Sequence, residues 1–183
     1  ASSADTPPTA VLQTSPTSGV LATPFPGNEK EVQVEAGSIH YIFSNKGGVL
    51  KHIYLPRFKN DDGDTIDLID NPGNLTPALS LKSDDQEITS ILQNAFYEPS
   101  ISSIVLDESN PEGVLTFTLK HESGLEVFRE YKFHQNDYVV EMKTRISISQ
   151  LAIKNLQYSI VFGPGMGGKI SSQTDYIVFS GAT

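Results

Sequence analysis

Four histidines (His40, His52, His121 and His134), 22 acidic residues and one glycine-rich run are where this 183-residue chain could carry chemistry. No two histidines have the helical spacing of a zinc protease. His40 and His52 flank one predicted hairpin and would come close across it. With a Glu they would suit general acid/base work on a sugar, although ordinary, partly exposed strand histidines give the same pattern. Gly163-Pro164-Gly165-Met166-Gly167-Gly168 matches G-x-G-x-x-G after a strand, but Lys169-Ile170-Ser171-Ser172-Gln173 lacks the helical pattern that would aim amides at a pyrophosphate. Asp61, Asp62, Asp64 and Asp67 surround Gly63. Placing Gly63 sixth in a calcium loop puts Phe58 first, so a solvated turn fits better. Asn74-Leu75-Thr76 is a three-residue match to a glycosylation acceptor, followed by Pro77. There is no G-x-S-x-G elbow, and nothing singles out the carboxylate pair a glycosidase requires. The residues therefore assign no catalytic, cofactor-binding or metal-binding role.

Composition narrows the classes further. Thirteen basic against 22 acidic residues leave a formal charge of −9, which argues against nucleic-acid binding and against direct docking on anionic lipid. The lack of cysteine excludes disulfides, thiolate zinc sites, iron–sulfur clusters and thiol catalysis. No apolar run approaches the ~20 residues that span a bilayer, and Ala1–Ala10 lacks the basic and apolar regions of a signal peptide.

The elements that would position these residues are mostly strands. Residues 1–28 hold five prolines, five threonines and four serines with one charge (Asp5), and read as a linker; apolar residues return near Val20–Phe25. From residue 29 the period becomes two. Val32 and Val34 share one face of a strand, Ser38–Phe43 forms a second, and Val49–Leu55 a third that stops at Pro56. Ser44-Asn45-Lys46-Gly47-Gly48 between them is a hairpin signal, with glycines free to take positive φ. Thr65–Ile69 and Ile101–Leu106 read as short strands. Asp84–Asn94 reads as a helix capped by Asp84 or Asp85, with Ile88, Ile91 and Leu92 on one face, or equally as a strand on its β-branched residues. The C-terminal half alternates clearly. Leu115, Phe117 and Leu119 are followed after a turn by Leu125, Val127, Arg129, Tyr131 and Phe133. Tyr138, Val140, Met142, Thr144, Ile146 and Ile148 come next, and Leu156, Tyr158, Ile160 and Phe162 last. Short polar turns between such runs predict an all-β, antiparallel sandwich with aromatics in the core and little helix.

One series of motifs resembles a known family. Val32–Lys59 carries Phe43-Ser44 and Gly47-Gly48, with Leu55 and Phe58 after the turn. Gly124–Phe133, Asp137–Met142 and Phe179-Ser180-Gly181-Ala182 follow in the same order. The whole resembles the large periplasmic domain of the YidC membrane-protein insertase family over residues 29–183. The resemblance implies a β-supersandwich akin to galactose-mutarotase-like domains, and a parent protein in a bacterial inner membrane. It also implies a non-catalytic role assisting insertion beside the Sec translocon, with SecDF-type components and nascent membrane proteins as partners. No cofactor, metal or catalytic residue carries over. Gly47 and Gly48 take the role of a structural turn, residues 1–28 that of a tether, and 29–183 that of roughly the first two-thirds of the domain. A mutarotase-like carbohydrate domain using His40 or His52 is the alternative.

Overall fold

Alternation of Val32, Val34 and Ala36 with Glu31, Gln33 and Glu35 produces a strand with one buried and one wet face. A computed structural model describes residues 25–69, 76–149, 156–163 and the backbone of 177–181. Its elements are β1 (Glu31–Ala36), β2 (Ile39–Ser44), β3 (Val49–Lys59), β4 (Thr65–Asp67), β5 (Ser80–Ser83), α1 (Gln86–Asn94), β6 (Glu98–Pro99), β7 (Ser103–Leu106), β8 (Glu112–Lys120), β9 (Leu125–His134), β10 (Glu141–Ile148), β11 (Tyr158–Phe162) and β12 (Ile177–Gly181).

These strands form three sheets, ordered β4-β3-β2-β1-β7, β10-β9-β8-β6 and β12-β11-β5. The predicted all-β class holds, with one helix among the described residues. Pairing is antiparallel except between β1 and β7, where Gln33–Ala36 runs parallel to Ser103–Leu106. The first two sheets face each other across an aromatic layer. Phe43 of β2 lies 4.8 Å from Tyr131 and 6.1 Å from Phe117, centroid to centroid, and Tyr41 lies 5.3 Å from Phe133. Rings tilted at such distances add about 0.5–1.5 kcal/mol per pair beyond the apolar area they bury.

Three expectations change in detail. The third strand does not stop at Pro56 but runs to Lys59, because its pairing with β4 is irregular between Leu55 and Lys59 and so tolerates a residue without an amide hydrogen. Asp84–Asn94 is helical. The Asp85 carboxylate accepts the Ile88 amide at 2.9 Å, and Ile88, Ile91 and Leu92 are buried. The long strand expected from Tyr138 begins at Glu141. Residues 1–24, the glycine-rich run beyond Gly163, Asn74-Leu75 and Ala182 lie outside the described residues. Within the expected linker, Phe25 packs against the core, 6.0 Å from the His121 ring.

Candidate functional site

Arginine on a face otherwise made of Leu, Val, Tyr and Phe must find partners for its charge or not fold there. Arg129 on β9 is fully buried, and its guanidinium meets backbone carbonyls rather than a carboxylate. Nη1 donates to Gly48 O at 2.7 Å and to Gly47 O at 3.3 Å, and Nη2 donates to Leu79 O at 2.8 Å. The guanidinium also lies 5.5 Å from the centre of the Tyr131 ring, whose hydroxyl donates to Gly48 O at 3.3 Å. Burial raises the Tyr131 phenol pKa, and that of Tyr97 beside it, above the ordinary 10.0. Both therefore act as neutral hydrogen-bond donors.

The backbone that offers those carbonyls is held in unusual conformations. Gly47 and Gly48 have φ of 70° and 59°, the left-handed region where a Cβ is disfavoured. Gly47 donates its amide hydrogen to Ala95 O at 2.9 Å, and a Cβ there would stand 2.9 Å from Gln93 O. Leu79, at φ 64°, is one of two described non-glycine residues with positive φ, and it is the third carbonyl facing Arg129. Asn45 completes the turn: it is 4 % exposed, its side chain accepts from the Lys30 amide at 2.7 Å, and its carbonyl accepts from the Tyr97 amide at 2.8 Å. The loops are thus locked around one cation.

The histidines separate. His40 pairs with Tyr54 and His52 with Ile42, so the two are diagonal rather than opposite on the outer face of the first sheet. The partner of His52 is Asp67 of β4, with Nδ1 2.6 Å from Oδ2. The other oxygen of Asp67 accepts amide hydrogens from Ile53 and Ile69 at 3.1 and 3.0 Å. That carboxylate is fixed on three sides and orients an imidazole stacked on Tyr54 at 5.3 Å, leaving Nε2 for another group. Asp67 therefore belongs to a sheet contact rather than to the acidic turn that Asn60 organises by accepting from the Asp62 and Asp64 amides. Among the described residues no three His, Asp or Glu side chains gather as metal ligands would.

A further feature is apolar. A cleft of about 480 Å³ lies between the inner face of β2 and β3 and the strands β10 and β11. Its walls include Tyr41, Ile53, Leu55, Met142, Ile160 and Phe162, and the side-chain hydroxyls along it belong to Tyr41, Tyr131 and Tyr138. Such a lining holds apolar groups by area burial and offers few groups to activate a bond.

A sequence model of the YidC periplasmic domain matches residues 31–183. The chain belongs to this family. No curated protein matches it. In this YidC periplasmic domain the Phe43-Ser44 and Gly47-Gly48 motif lies at the centre of the Arg129 cluster. The sequence placed Arg129 in an alternating strand series with Leu125, Val127, Tyr131 and Phe133, but its carbonyl partners lie 50 to 82 residues away and carry no side-chain signal. The cleft was equally silent, since Tyr138, Val140 and Met142 read only as one face of a strand. Among the described residues no helix is long and apolar enough to cross a membrane.

Proposed function

We propose that this YidC periplasmic domain is a non-catalytic accessory module of an inner-membrane insertase. It stands in the periplasm and assists membrane-protein insertion and folding through protein–protein contacts with the Sec translocon, SecDF-type components and nascent membrane proteins. The observation that carries the reading is the family match over residues 31–183, and the apolar lining of the cleft supports it. Residues 1–28 serve as the tether, and Gly47 and Gly48 as the structural turn. Cross-linking of the full-length parent protein in native membranes tests the role. Adducts between this domain and Sec accessory subunits are expected, and a parent that cross-links only through its other segments overturns the reading.

A second reading, a mutarotase-like carbohydrate site, is favoured by the Asp67-oriented His52 beside Tyr54. It requires saturable sugar binding or anomer interconversion that His52→Ala abolishes; a flat titration with simple hexoses eliminates it.

A further inference from the structure

Arginine carries five N–H donors in a rigid fork, and burial leaves each of them in need of an acceptor. On Arg129 four have one. Nη1 donates to Gly47 O and Gly48 O, and Nη2 donates to Leu79 O and, at 3.8 Å, to Met142 Sδ. The fifth donor, Nε–H, is buried and has no partner among the described residues. One other buried side-chain atom among them shares that condition, the hydroxyl oxygen of Thr144.

The two atoms belong to neighbours. Thr144 on β10 is paired directly with Arg129 on β9, and Met142 on the same face of β10 is paired with Tyr131. Directly opposed residues turn their side chains to one side of a sheet, with Cβ atoms about 4.5–5.5 Å apart. Arg129 is fully buried, so that side is the inner one. Nε and Oγ1 therefore lie on one facing pair without bonding each other. Both atoms are shielded from solvent, so the arrangement holds whatever packs against the outer edge of β10.

Two unsatisfied atoms on one cross-strand pair ask for a single small occupant. Left bare, each costs the desolvation of a polar group with nothing in return. The occupant must accept from Nε–H and also meet a hydroxyl that can donate or accept. Water does both, and at about 2.9 Å from each atom it joins groups up to roughly 5.8 Å apart. A halide could accept from both, but it would add a second buried ion where three carbonyls already face the guanidinium.

We infer that Arg129 Nε and Thr144 Oγ1 form the binding site of a single internal water. The water accepts the Nε–H hydrogen and donates one of its own to the Thr144 hydroxyl oxygen. It completes the guanidinium's set of partners and ties the middle of β10 to the Gly47-Gly48 turn. The site goes beyond the accessory role proposed above and does not depend on it.

Thr144→Val tests the site by the sign of its effect, since valine suits a strand as well as threonine does. With the water in place, removing the hydroxyl leaves both Nε and the water short of a partner. The folding equilibrium constant from urea unfolding then falls about tenfold. An unchanged or larger constant, the outcome of removing a hydroxyl that bonds to nothing, overturns the inference. Diffraction from crystals of the intact chain, grown with bromide in place of chloride, identifies the occupant. One water oxygen about 2.7–3.2 Å from both Nε and Oγ1, without an anomalous bromide signal, is expected. Thr144→Ser keeps that water and Thr144→Val loses it. A direct bond between Nε and Oγ1, a bromide peak, or no density between the two atoms overturns the inference. Should Thr144→Val fail to fold, the parent crystals decide among the same outcomes.

Discussion

Arg129 concentrates more of the fold's specificity than any other side chain described here. A buried guanidinium without a carboxylate is tolerable only because carbonyls converge on it, and hydrogen bonds to a charged group contribute about 1.5–3 kcal/mol each. Arg129→Met leaves the carbonyls of Gly47, Gly48 and Leu79 without this donor and is expected to cost about 3 kcal/mol in urea unfolding. Arg129→Lys keeps the charge but not the fork, and recovers only about 1 kcal/mol of that loss. The glycines that present these carbonyls should not respond equally. Gly48→Ala meets ordinary contacts at 3.5 Å and costs roughly 1 kcal/mol for its left-handed φ. Gly47→Ala carries the same strain and also approaches Gln93 O, a backbone atom that cannot rotate away, so it exceeds Gly48→Ala by at least about 1 kcal/mol. Equal losses in paired urea melts would show that the turn relaxes and is not held by α1.

At the scale of elements, α1 shows how a single cap decides between two readings of the same segment. Its β-branched residues suit a strand, but Asp85 satisfies the Ile88 amide and directs Ile88, Ile91 and Leu92 into the core. Asp85→Ala should cost about 1 kcal/mol and Asp85→Asn only a few tenths, because Asn caps as well. Asp84→Ala, which removes no helix amide's partner, should fall below both the Asp85→Ala cost and about 0.5 kcal/mol. Urea midpoints of the three variants at constant slope check the order. The strands of β1, β2, β8 and β9 were legible because one wet face imposes strict alternation. The β1–β7 pairing was not, since Val34 and Ile104 meet across some 70 residues of chain and local pattern cannot encode such a register. Pro56 misled for a related reason: it ends a strand only where its missing amide is needed, and irregular pairing with β4 removes that need. Of the candidate site, the turn glycines and the strand that carries Arg129 could be read from local pattern. The cleft could not, because its lining comes from β2, β3, β9, β10 and β11, strands far apart along the chain.

For the whole molecule, the aromatic layer between the sheets ties stability to alkaline pH. Burial holds the Tyr97 and Tyr131 phenols neutral in the fold, raising both above the ordinary 10.0, with Tyr41 raised in the same direction. A raised folded-state pKa gives a contribution fully present below the unfolded value and lost as pH climbs through it, because the unfolded chain releases protons that the fold retains. Stability should therefore change little through these groups up to pH 10, then fall by about 1.4 kcal/mol per pH unit for each phenol kept neutral. Tyr131→Phe separates the hydrogen bond from the titration. It loses the bond to Gly48 O, about 1 kcal/mol at neutral pH, yet removes one ionising group from the unfolded state. Its stability curve should start lower, decline less steeply above pH 10 and approach that of the parent. Urea melts across this range, with tyrosinate absorbance followed in the folded baseline, provide the measurement. Parallel curves would mean that Tyr131 ionises without unfolding, so the layer joining the sheets would open to water before the fold is lost.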